Sequence, residues 1–411
     1  MDIIAMILAG ARVDDLGVLT FFRPKSAMPY GGLYRIIDFP MSNLMYSGIE
    51  KVGILSQYKP LYLMEHMHNG EPWDMSGRHR FVTILPPFKG MGTSDWYKGT
   101  ADAVYQNLDF LSNHKPDLIV VLSGDHIYKM DYKEIIKFHL EKEADLTIAF
   151  AKVPKKGAHR FGLANIEDGD TRGGKILQYT EKSEKTPFEW ASLTIYVFSP
   201  YVLFEALRAN EAENSHEFGK DIIPFLLANN FKVFGYKHTG YWGYTRTLQE
   251  YWQTNMDLLG NPPSIDISSW GICTNLSNFH TRDRQPALIG PDATVEDSLF
   301  YSGCQIKGKV IRSILFPGAK VDSQALVEDS IIFSNTVIKQ NARIIKTIID
   351  EDVTVGVNAH IGENAAGELT VVGMGTRIAR GTKISSGVTI YPNLGPAKFT
   401  KCFYDTGEII K

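Results

Sequence analysis

Aliphatic residues recur every six positions in the last third of the chain, and this period restricts the possible folds more than any other feature. They fall in three registers: Ile332, Ile338 and Ile344; Ile349, Val355 and Ile361; and Val372, Ile378, Ile384 and Ile390. A six-residue period matches neither an α-helix nor a single strand. It is typical of a parallel β-helix, in which each flat face contributes one short strand and one inward aliphatic residue. A β-sandwich with coincidental spacing is the alternative, and three separate registers disfavour it.

Residues 1 to about 260 have a different sequence pattern, in which runs of β-branched residues alternate with segments of helical periodicity. We predict strands in the apolar run at Ile3–Ile7 and in KVGILSQY, DLIVVLSGD, DLTIAFAKV and KVFGYK, and helices near Ala101–Asn113, Tyr132–Lys142 and Leu248–Leu259. This alternation predicts a mostly parallel sheet flanked by helices, with functional side chains in the loops that follow strands. Turn residues and two prolines in NPPSIDISSWGI, residues 261–272, indicate a boundary. We therefore expect an α/β domain at 1–262, a linker at 263–285 and a β-helix at 286–411.

Composition excludes several classes of protein. The 411 residues are 44% hydrophobic and 22% charged, which is ordinary for a globular protein of about two domains. A net charge of −3 gives no basic surface for nucleic acid. Apolar runs are too short for a membrane span, and the N-terminus lacks the basic region of a signal peptide. Cys273, Cys304 and Cys402 match no metal spacing and cannot all pair, so we expect a cytoplasmic protein.

Short stretches of the α/β region carry residues suited to chemistry. SGDHIY places Asp125 at the end of a predicted central strand, where a metal or sugar phosphate binds, although Asp125 could equally cap a helix. RPKSAMPYGG, residues 23–32, suits an anion or is a solvated loop. YTEKS pairs Glu181 with Lys182, and HEFGKDIIP, residues 216–224, precedes a predicted helix. Local patterns leave each of these interpretations open.

The loop after the first strand, LAGARVDDLGVLT at residues 8–20, occupies the position where α/β proteins usually bind phosphates. Such a loop needs glycines and cations. This loop instead has Asp14 and Asp15 in its middle.

Together these motifs resemble the ADP-glucose pyrophosphorylase, or glucose-1-phosphate adenylyltransferase, family over nearly the whole chain. The matching blocks are GGLYRIIDFPMSNLMYSGIEKVGILSQY, WYKGTADAVYQN, SGDHIYKMDY, HEFGKDIIP and LQEYWQTNMDLL. The resemblance implies a Rossmann-like nucleotidyltransferase domain followed by a left-handed parallel β-helix, assembled as a tetramer. It also implies a reaction of glycogen and starch synthesis, in which glucose 1-phosphate attacks the α-phosphorus of ATP to give ADP-glucose and pyrophosphate.

The resemblance also assigns roles by position. Asp125 matches the first Mg²⁺ ligand, and Lys25 matches a phosphate-contacting catalytic lysine, although Ser26 replaces the usual proline. The matches to sugar-phosphate residues are Glu181, Lys182, Ser192 and Lys220. The matches to nucleotide-binding residues are Leu8, Ala9, Gly10, Tyr97 and Gly99.

Departures from the family pattern are concentrated on the ATP side. The family loop reads roughly AGGxGxRLxPLT, so Ala11 and Val13 replace glycines and Asp15 replaces an arginine. Two unit charges at about 4 Å interact by about 4 kcal/mol near a protein surface, and this exchange turns attraction into repulsion. The family's YWRDVGTLEAYW is YWGYTRTLQEYW here. Gly243 therefore replaces an arginine, Arg246 replaces a glycine, and Tyr244 replaces the second metal aspartate with a poor Mg²⁺ ligand.

Two further departures are smaller. LPPFKG, residues 85–90, lacks a glutamine that the family uses near the adenine. Leu193 and Thr194 follow Ser192, where the family commonly has methionine or leucine and then glycine. The sugar-phosphate positions are better retained than the ATP positions.

We therefore expect a regulatory subunit with little or no catalysis of its own. It would bind glucose 1-phosphate or a related sugar phosphate, and ATP or ADP-glucose weakly, and would form a homo- or hetero-tetramer with a catalytic paralogue. Mg²⁺ is expected only if the chain is active, with no cofactor otherwise, and nucleic-acid and membrane partners are not expected. Candidate effector ligands, each also explained as a solvated charge, are Arg35, His68, Arg78, Arg80 and Arg312.

Three alternatives remain from sequence. In an active enzyme with a rebuilt site, Arg12, Arg23 or Arg246 would supply the missing cation, and Asp14 or Asp15 would help to hold metal. A non-catalytic sensor would bind sugar phosphates without a partner enzyme. A change of sugar or nucleotide is disfavoured, because the loop departs from every triphosphate pattern.

Overall fold

The computed structural model describes residues 1–10, 14–88, 96–155, 157–184, 187–277, 281–363 and 367–411. The chain packs as two compact units, one formed by Met1–Ala11 and Phe39–Trp242 and the other by Arg12–Asp38 and Gly243–Lys411. These units interleave along the sequence. The domain boundaries expected near residues 262 and 286 remain predictions.

The helices and the strands of the α/β region have the following bounds. The α-helices are α1 Asp38–Tyr46, α2 Leu61–Met67, α3 Thr100–Tyr105, α4 Leu108–His114, α5 Tyr132–Glu141, α6 Pro200–Ala209, α7 Ile223–Ala228, α8 Leu248–Met256 and α9 Ile267–Trp270. The strands are β1 Ile3–Leu8, β2 Pro29–Tyr30, β3 Tyr34–Arg35, β4 Lys51–Leu55, β5 Phe81–Leu85, β6 Leu118–Ser123, β7 His126–Tyr128, β8 Leu146–Lys152, β9 Gly162–Ile166, β10 Gly173–Glu181, β11 Trp190–Phe198, β12 Val233–His238 and β13 Trp242–Tyr244.

The first unit is built on a nine-stranded sheet with the order β5-β4-β1-β6-β11-β8-β12-β10-β9. Strands β5, β4, β1 and β6 are parallel, whereas β11 runs antiparallel to both β6 and β8. The parallel strands are continuous apolar runs because helices cover both faces of such a sheet. Leu8 at the end of β1 pairs with Ser123 at the end of β6. The loops after these two strands therefore emerge side by side.

The helix predicted at Ala101–Asn113 is two helices, α3 and α4, interrupted at residues 106–107. The side-chain amide of Asn107 donates to the carbonyl of Ala103 at 2.9 Å and to the hydroxyl of Tyr97 at 3.0 Å. Local side-chain bonds of this kind compete with the helical hydrogen bonds of the backbone. The other predicted helices are present, and α8 begins at a capping box formed by Thr247 and Glu250.

The predicted β-helix is confirmed in the second unit, where short parallel strands stack in three sheets. The first face contains β14 Leu288–Ile289, β17 Gln305–Ile306, β20 Lys320–Val321, β23 Val337–Ile338, β26 Thr354–Val355 and β29 Arg377–Ile378. The second contains β15 Thr294–Glu296, β18 Lys309–Ile311, β21 Leu326–Glu328, β24 Arg343–Ile345, β27 His360–Ile361, β30 Lys383–Ile384 and β32 Phe403–Tyr404. The third contains β16 Leu299–Phe300, β19 Ile314–Leu315, β22 Ile331–Ile332, β25 Thr347–Ile349, β28 Thr370–Val372, β31 Thr389–Ile390 and β33 Ile409–Ile410. All ten aliphatic residues of the six-residue period lie in one buried core cluster.

The third face of the β-helix is also apolar on its outer side. Ile314, Ile331 and Ile348 alternate with the inward residues and yet are 0% exposed. Segments of the same unit cover them. A Cβ atom on Gly32, which has φ +84°, would lie 3.3 Å from the Ile314 side chain, and the Trp252 indole donates to the Asp329 carbonyl at 2.8 Å. This packing explains why residues 14–38 and α8 belong to the β-helix unit.

Candidate functional site

The loop after β1 approaches the end of β4 closely. A Cβ atom at Gly10 would lie 2.8 Å from the backbone nitrogen of Gln57, so this position requires glycine. The Ala9 N–H donates to the Leu55 carbonyl at 2.9 Å, and the Gly124 N–H donates to the Leu8 carbonyl at 3.0 Å. The structure thus brings Leu8, Ala9 and Gly10 beside the SGDHIY turn. The rest of the predicted phosphate loop, residues 11–13, lies outside the described residues.

Asp125 follows β6 and precedes β7, so the interpretation that it caps a helix is wrong. Its side chain is 22% exposed and accepts a hydrogen bond from the Ser123 hydroxyl. The Nε2 atom of His126 lies 3.4 Å from Oδ1 of Asp125. Asp131 is the residue that caps α5, by accepting from the Lys133 N–H at 2.9 Å.

Tyr97, a predicted nucleotide contact, is engaged in internal hydrogen bonds. Its N–H donates to Oε1 of Gln57 at 2.8 Å, and its hydroxyl donates to the Leu85 carbonyl at 3.0 Å. Burial raises the pKa of the Tyr97 phenol. These bonds hold the turn that leads to Gly99, which immediately precedes α3.

Glu181 and Lys182 lie where β10 ends. The Tyr179 hydroxyl donates to Oε2 of Glu181 at 2.7 Å, and the Lys182 ammonium lies 3.6 Å from Oε1 of the same carboxylate. A Cβ atom at Gly219 would clash with the Glu181 carboxylate. The structure therefore brings Glu181, Lys182 and the turn that carries Lys220 together. Lys182 and Lys220 are both exposed, as cations that meet a soluble anion must be.

Glu217 is a site-forming residue that the sequence did not single out. Its Oε2 atom accepts from the Thr100 hydroxyl at 2.5 Å and from the Thr100 N–H at 3.1 Å. The Phe218 N–H in turn donates to the Thr100 hydroxyl at 3.1 Å. These bonds join the HEFGKDIIP and WYKGT blocks, which lie more than a hundred residues apart. The occurrence of both blocks among the motifs that match the family was the sequence feature that could have indicated this contact.

Ser192 lies in β11 just before a shift of register between Ser192 and Tyr196. Within this irregularity Thr194 has a φ of +53°, and its N–H donates to the Ser192 hydroxyl at 3.3 Å. A β-branched residue strongly disfavours positive φ. Thr194 stands at the position where the family commonly has glycine, and the geometry explains that preference.

Thr194→Gly is therefore expected to raise the free energy of unfolding by about 1 kcal/mol. Glycine relieves the backbone strain of the folded chain, and the greater conformational freedom of glycine in the unfolded chain offsets part of this gain. Chemical denaturation measures the change. Thr194→Ala is the matched control, because it removes the hydroxyl and the branch but keeps the Cβ atom. A gain in Thr194→Ala equal to that in Thr194→Gly would show that backbone strain is not the cause.

Three of the departures from the family pattern contact one another in the second unit. The Nε atom of Arg246 lies 3.2 Å from Oδ2 of Asp15. A hydrogen bond with Tyr244, and then the contact with Asp15, raise the pKa of Arg246 against the opposing effect of burial. We call Asp15, Tyr244 and Arg246 the substituted cluster. Its reciprocal charge changes, an arginine lost at one position and gained at another, were visible in the sequence, but the contact of Arg246 with Asp15 was not predicted.

Lys25, the predicted phosphate-contacting lysine, adjoins the substituted cluster. Its ammonium lies 5.0 Å from the centroid of the Tyr244 ring, and the residue is only 2% exposed. A cation over an aromatic face is stabilised by the ring quadrupole. The tyrosine that replaces a metal aspartate thus provides an alternative contact for this lysine.

Arg23 lies in a second group of charges, which we call the buried charge cluster and which contains Arg23, Arg35, Asp350 and Glu351. The Nη1 atom of Arg23 lies 3.0 Å from Oε1 of Glu351, and its Nη2 atom contacts Asp350. Arg35 reaches the same Glu351 oxygen at 3.7 Å. Arg23 is 1% exposed, and burial raises the pKa of Asp350 to about 6. Arg23 is therefore held by β-helix carboxylates.

The other candidate effector residues lie at the surface of their own units. Arg80 pairs with Asp74 at 2.7 Å, and Arg312 pairs with Asp329 at 2.8 Å. His68 and Arg78 are exposed. An effector role for these residues remains a prediction. Within the described part of the chain, no helix is long and apolar enough to cross a bilayer.

Comparison with known proteins identifies the class of protein that this fold defines. The family model for nucleotidyl transferases matches residues 4–261, and that for the GlmU-like C-terminal hexapeptide matches residues 288–388. The chain is thus a nucleotidyltransferase-type protein with a hexapeptide β-helix.

Similar proteins of named activity narrow the class of protein to one family. The chain is 41% identical to a glucose-1-phosphate adenylyltransferase of Acetivibrio thermocellus, over 97% of this chain and 95% of the relative. It is 43% identical to one of Clostridium perfringens strain SM101, over 82% and 86%, and 40% identical to one of Fervidobacterium nodosum, over 95% of both chains. The chain belongs to the glucose-1-phosphate adenylyltransferase family.

Proposed function

We propose that this chain is a subunit of the glucose-1-phosphate adenylyltransferase type whose own catalysis is weak or absent, and that it regulates a catalytic paralogue in a shared oligomer. The observation that carries the proposal is the substituted cluster. Its members stand where the family resemblance places a triphosphate-binding arginine, a metal-binding aspartate and a glycine. They contact one another instead.

The substituted cluster opposes ATP binding through charge. Phosphoryl-type transfer depends on positioning and on neutralising phosphate charge rather than on covalent participation by the protein. Asp15 and Arg246 lie 3.2 Å apart, so their charges offset each other and the pair supplies no net positive charge to a polyphosphate where the family has an arginine.

These contacts disfavour the alternative of an active enzyme with a rebuilt site. That alternative requires Arg23 or Arg246 to replace the missing arginine. Arg23 is buried against Asp350 and Glu351, and Arg246 is paired with Asp15. Arg12 lies outside the described residues. A subunit without efficient catalysis accounts for these placements with fewer assumptions.

A Mg²⁺ site of two aspartates does not fit the residues present. Asp125 remains, but the second position is Tyr244, and a phenol is a poor ligand for a hard cation at neutral pH. The described residues contain no group of three histidine, cysteine or acidic side chains arranged to hold a metal. The residues present therefore do not support catalysis through a Mg²⁺ site of two aspartates.

The sugar-phosphate side retains a plausible binding chemistry. Exposed Lys182 and Lys220 provide ammonium groups for a phosphate, and the Glu181 carboxylate, oriented by Tyr179, can accept from sugar hydroxyls. We propose glucose 1-phosphate or a related sugar phosphate as the ligand. Through this ligand the subunit would tune the response of its partner.

The purified chain assayed with ATP, Mg²⁺ and glucose 1-phosphate is expected to turn over far below the ~1–10³ s⁻¹ of ordinary enzymes. A catalytic relative assayed in the same way is the positive control. Turnover within that range would overturn the proposal.

Co-expression with a catalytic paralogue tests the regulatory part. Native mass measurement is expected to show a hetero-oligomer, and the paralogue's dependence on sugar phosphates is expected to change. If the chain forms a homotetramer that binds glucose 1-phosphate but does not associate with the paralogue, it is a sensor and not a regulatory subunit.

A further inference from the structure

The side chains of Tyr179 and Glu181 occupy a slot between two glycines in the first unit. A Cβ atom at Gly162 would overlap the Tyr179 hydroxyl and lie 2.6 Å from Oε2 of Glu181. A Cβ atom at Gly219 would overlap the same carboxylate and lie 3.0 Å from the hydroxyl. Gly162 and Glu181 are direct partners across strands β9 and β10. The hydrogen bond between Tyr179 and Glu181 therefore depends on space that glycine leaves at both positions.

The Glu181 carboxylate is held at both of its oxygens. The Tyr179 hydroxyl donates to Oε2 at 2.7 Å, and the Lys182 ammonium lies 3.6 Å from Oε1. Burial, followed by the electrostatic influence of Tyr196 and Glu181, raises the pKa of the Tyr179 phenol well above its ordinary value. The hydroxyl therefore keeps its proton and remains a donor to the carboxylate.

The backbone also holds Glu181 and Lys182 in place. Lys182 has a φ of +47°, a conformation that residues with a Cβ atom rarely adopt. Its N–H donates to the Phe161 carbonyl at 3.1 Å. A conformation of this kind persists only where the surrounding structure imposes it. Both side chains are therefore oriented before a ligand arrives, which lowers the entropic cost of binding.

The exposed part of the Glu181 carboxylate is suited to accepting hydrogen bonds. The side chain is 23% exposed, and an ionised carboxylate has about four lone-pair sites, of which the Tyr179 hydroxyl uses one. The remaining sites fit the hydroxyl groups of a sugar, which can donate to them. A carboxylate on the ligand would instead be repelled by Glu181.

We propose that Tyr179 is a positioning residue for the sugar end of the ligand, because its hydroxyl fixes Glu181 as an acceptor for sugar hydroxyls. The site thereby selects a neutral hexose phosphate over a phosphorylated uronic acid. This inference rests on the proposed function, since it concerns the same sugar-phosphate ligand. Tyr179 acts on the sugar through the Glu181 carboxylate.

The test measures the affinity of the full chain for glucose 1-phosphate by isothermal titration calorimetry. Tyr179→Phe removes only the hydroxyl and is expected to weaken binding about fivefold, the effect of one hydrogen bond. Tyr201→Phe is the matched control, because it removes a hydroxyl that also bonds to a glutamate, Glu205, on α6. This control is expected to leave the affinity unchanged.

Glucuronic acid 1-phosphate, measured by competition with glucose 1-phosphate, separates positioning from a general structural role. The unmodified chain is expected to prefer glucose 1-phosphate at least about tenfold. Tyr179→Phe is expected to reduce this preference, because an unfixed Glu181 can turn away from the ligand carboxylate. Glu181→Gln, which removes the charge, is expected to reduce it further.

The possible failures are distinguishable. If the unmodified chain binds no glucose 1-phosphate, the ligand of the proposed function is wrong and this inference falls with it. If the chain binds both sugar phosphates equally, or if Tyr179→Phe weakens both equally, the positioning role is overturned while the proposed ligand stands. An unchanged affinity in Tyr179→Phe would also overturn the role of this hydroxyl alone.

Discussion

Replacing Arg23 with methionine is expected to lower the free energy of unfolding by about 3–5 kcal/mol, the typical effect of leaving a buried ion partner uncompensated. Arg23 is 1% exposed, and its guanidinium contacts both Asp350 and Glu351, which are also 1% exposed. Methionine preserves much of the side-chain length while removing the charge. The measurement is chemical denaturation at neutral pH.

Arg312→Met is the matched control, because Arg312 also pairs with a β-helix aspartate but its side chain is 51% exposed. Exposed ion pairs contribute about 0–1 kcal/mol. If the two variants lose equal stability, burial of the charge cluster is not the cause. Adding Asp350→Asn to Arg23→Met is expected to recover part of the loss, since Glu351 then keeps Arg35 as its partner.

The contribution of Asp350 to the free energy of unfolding depends on pH, and the direction of this dependence can be stated. Burial raises the pKa of Asp350 in the folded chain to about 6 from its ordinary 3.8, so folding takes up a proton between these values. The contribution of Asp350 therefore stabilises the fold as pH falls through about 6 and is lost as pH rises through it. This trend is expected to disappear in Asp350→Asn.

Restoring the ATP side is expected to raise turnover by about 10²–10³-fold or more, the usual effect of one electrostatic stabiliser in a transfer reaction. The restored chain combines Asp15→Arg, Tyr244→Asp and Arg246→Gly with Ala11→Gly and Val13→Gly. Each change returns a position to the pattern of the family that the chain resembles. Steady-state formation of pyrophosphate from ATP and glucose 1-phosphate is the measurement.

The structure adds Arg246→Gly to this set. Asp15→Arg alone would place one guanidinium against another, because Arg246 lies 3.2 Å from the carboxylate that is replaced. The single change is therefore expected to lower stability without restoring turnover. Arg246→Gly alone is the second control, since it unpairs Asp15 and leaves the repelling carboxylate. Full recovery in Asp15→Arg alone, or no recovery in the combined variant, would contradict the interpretation of the substituted cluster.

Local patterns in the sequence predicted the elements that depend on local chemistry. The six-residue period identified the inward residues of the β-helix, because each turn of the solenoid repeats the same environment. Helix α5 and strand β6, which precedes the Asp125 turn, follow from the patterns of apolar residues in the same way, whereas the residue that caps α5 was not predicted. The break between α3 and α4 was missed, because it depends on a hydrogen bond from Asn107 to Tyr97, a residue that precedes the helix.

Some features of the candidate site could be predicted from local motifs, and others could not. The residue types at Asp125, Glu181 and Lys182 could be matched to a chemistry from motifs alone. The pairing of Asp15 with Arg246 could not, because the two residues lie 231 positions apart and form no shared motif. From sequence, Arg246 was a candidate to replace the missing arginine. The structure shows instead that Arg246 pairs with Asp15, the residue that stands in place of that arginine.

By itself, the sequence determined the family, the two architectures and the loss of the ATP-binding pattern, since these depend on residue types at positions along the chain. Only the tertiary structure decided which charges neutralise each other. No local pattern marks Asp350 and Glu351 as buried, but residues 14–38 pack on the β-helix and bury them against Arg23. The physical reason is that electrostatic energy depends on distance and burial in three dimensions, and neither quantity is encoded by local spacing.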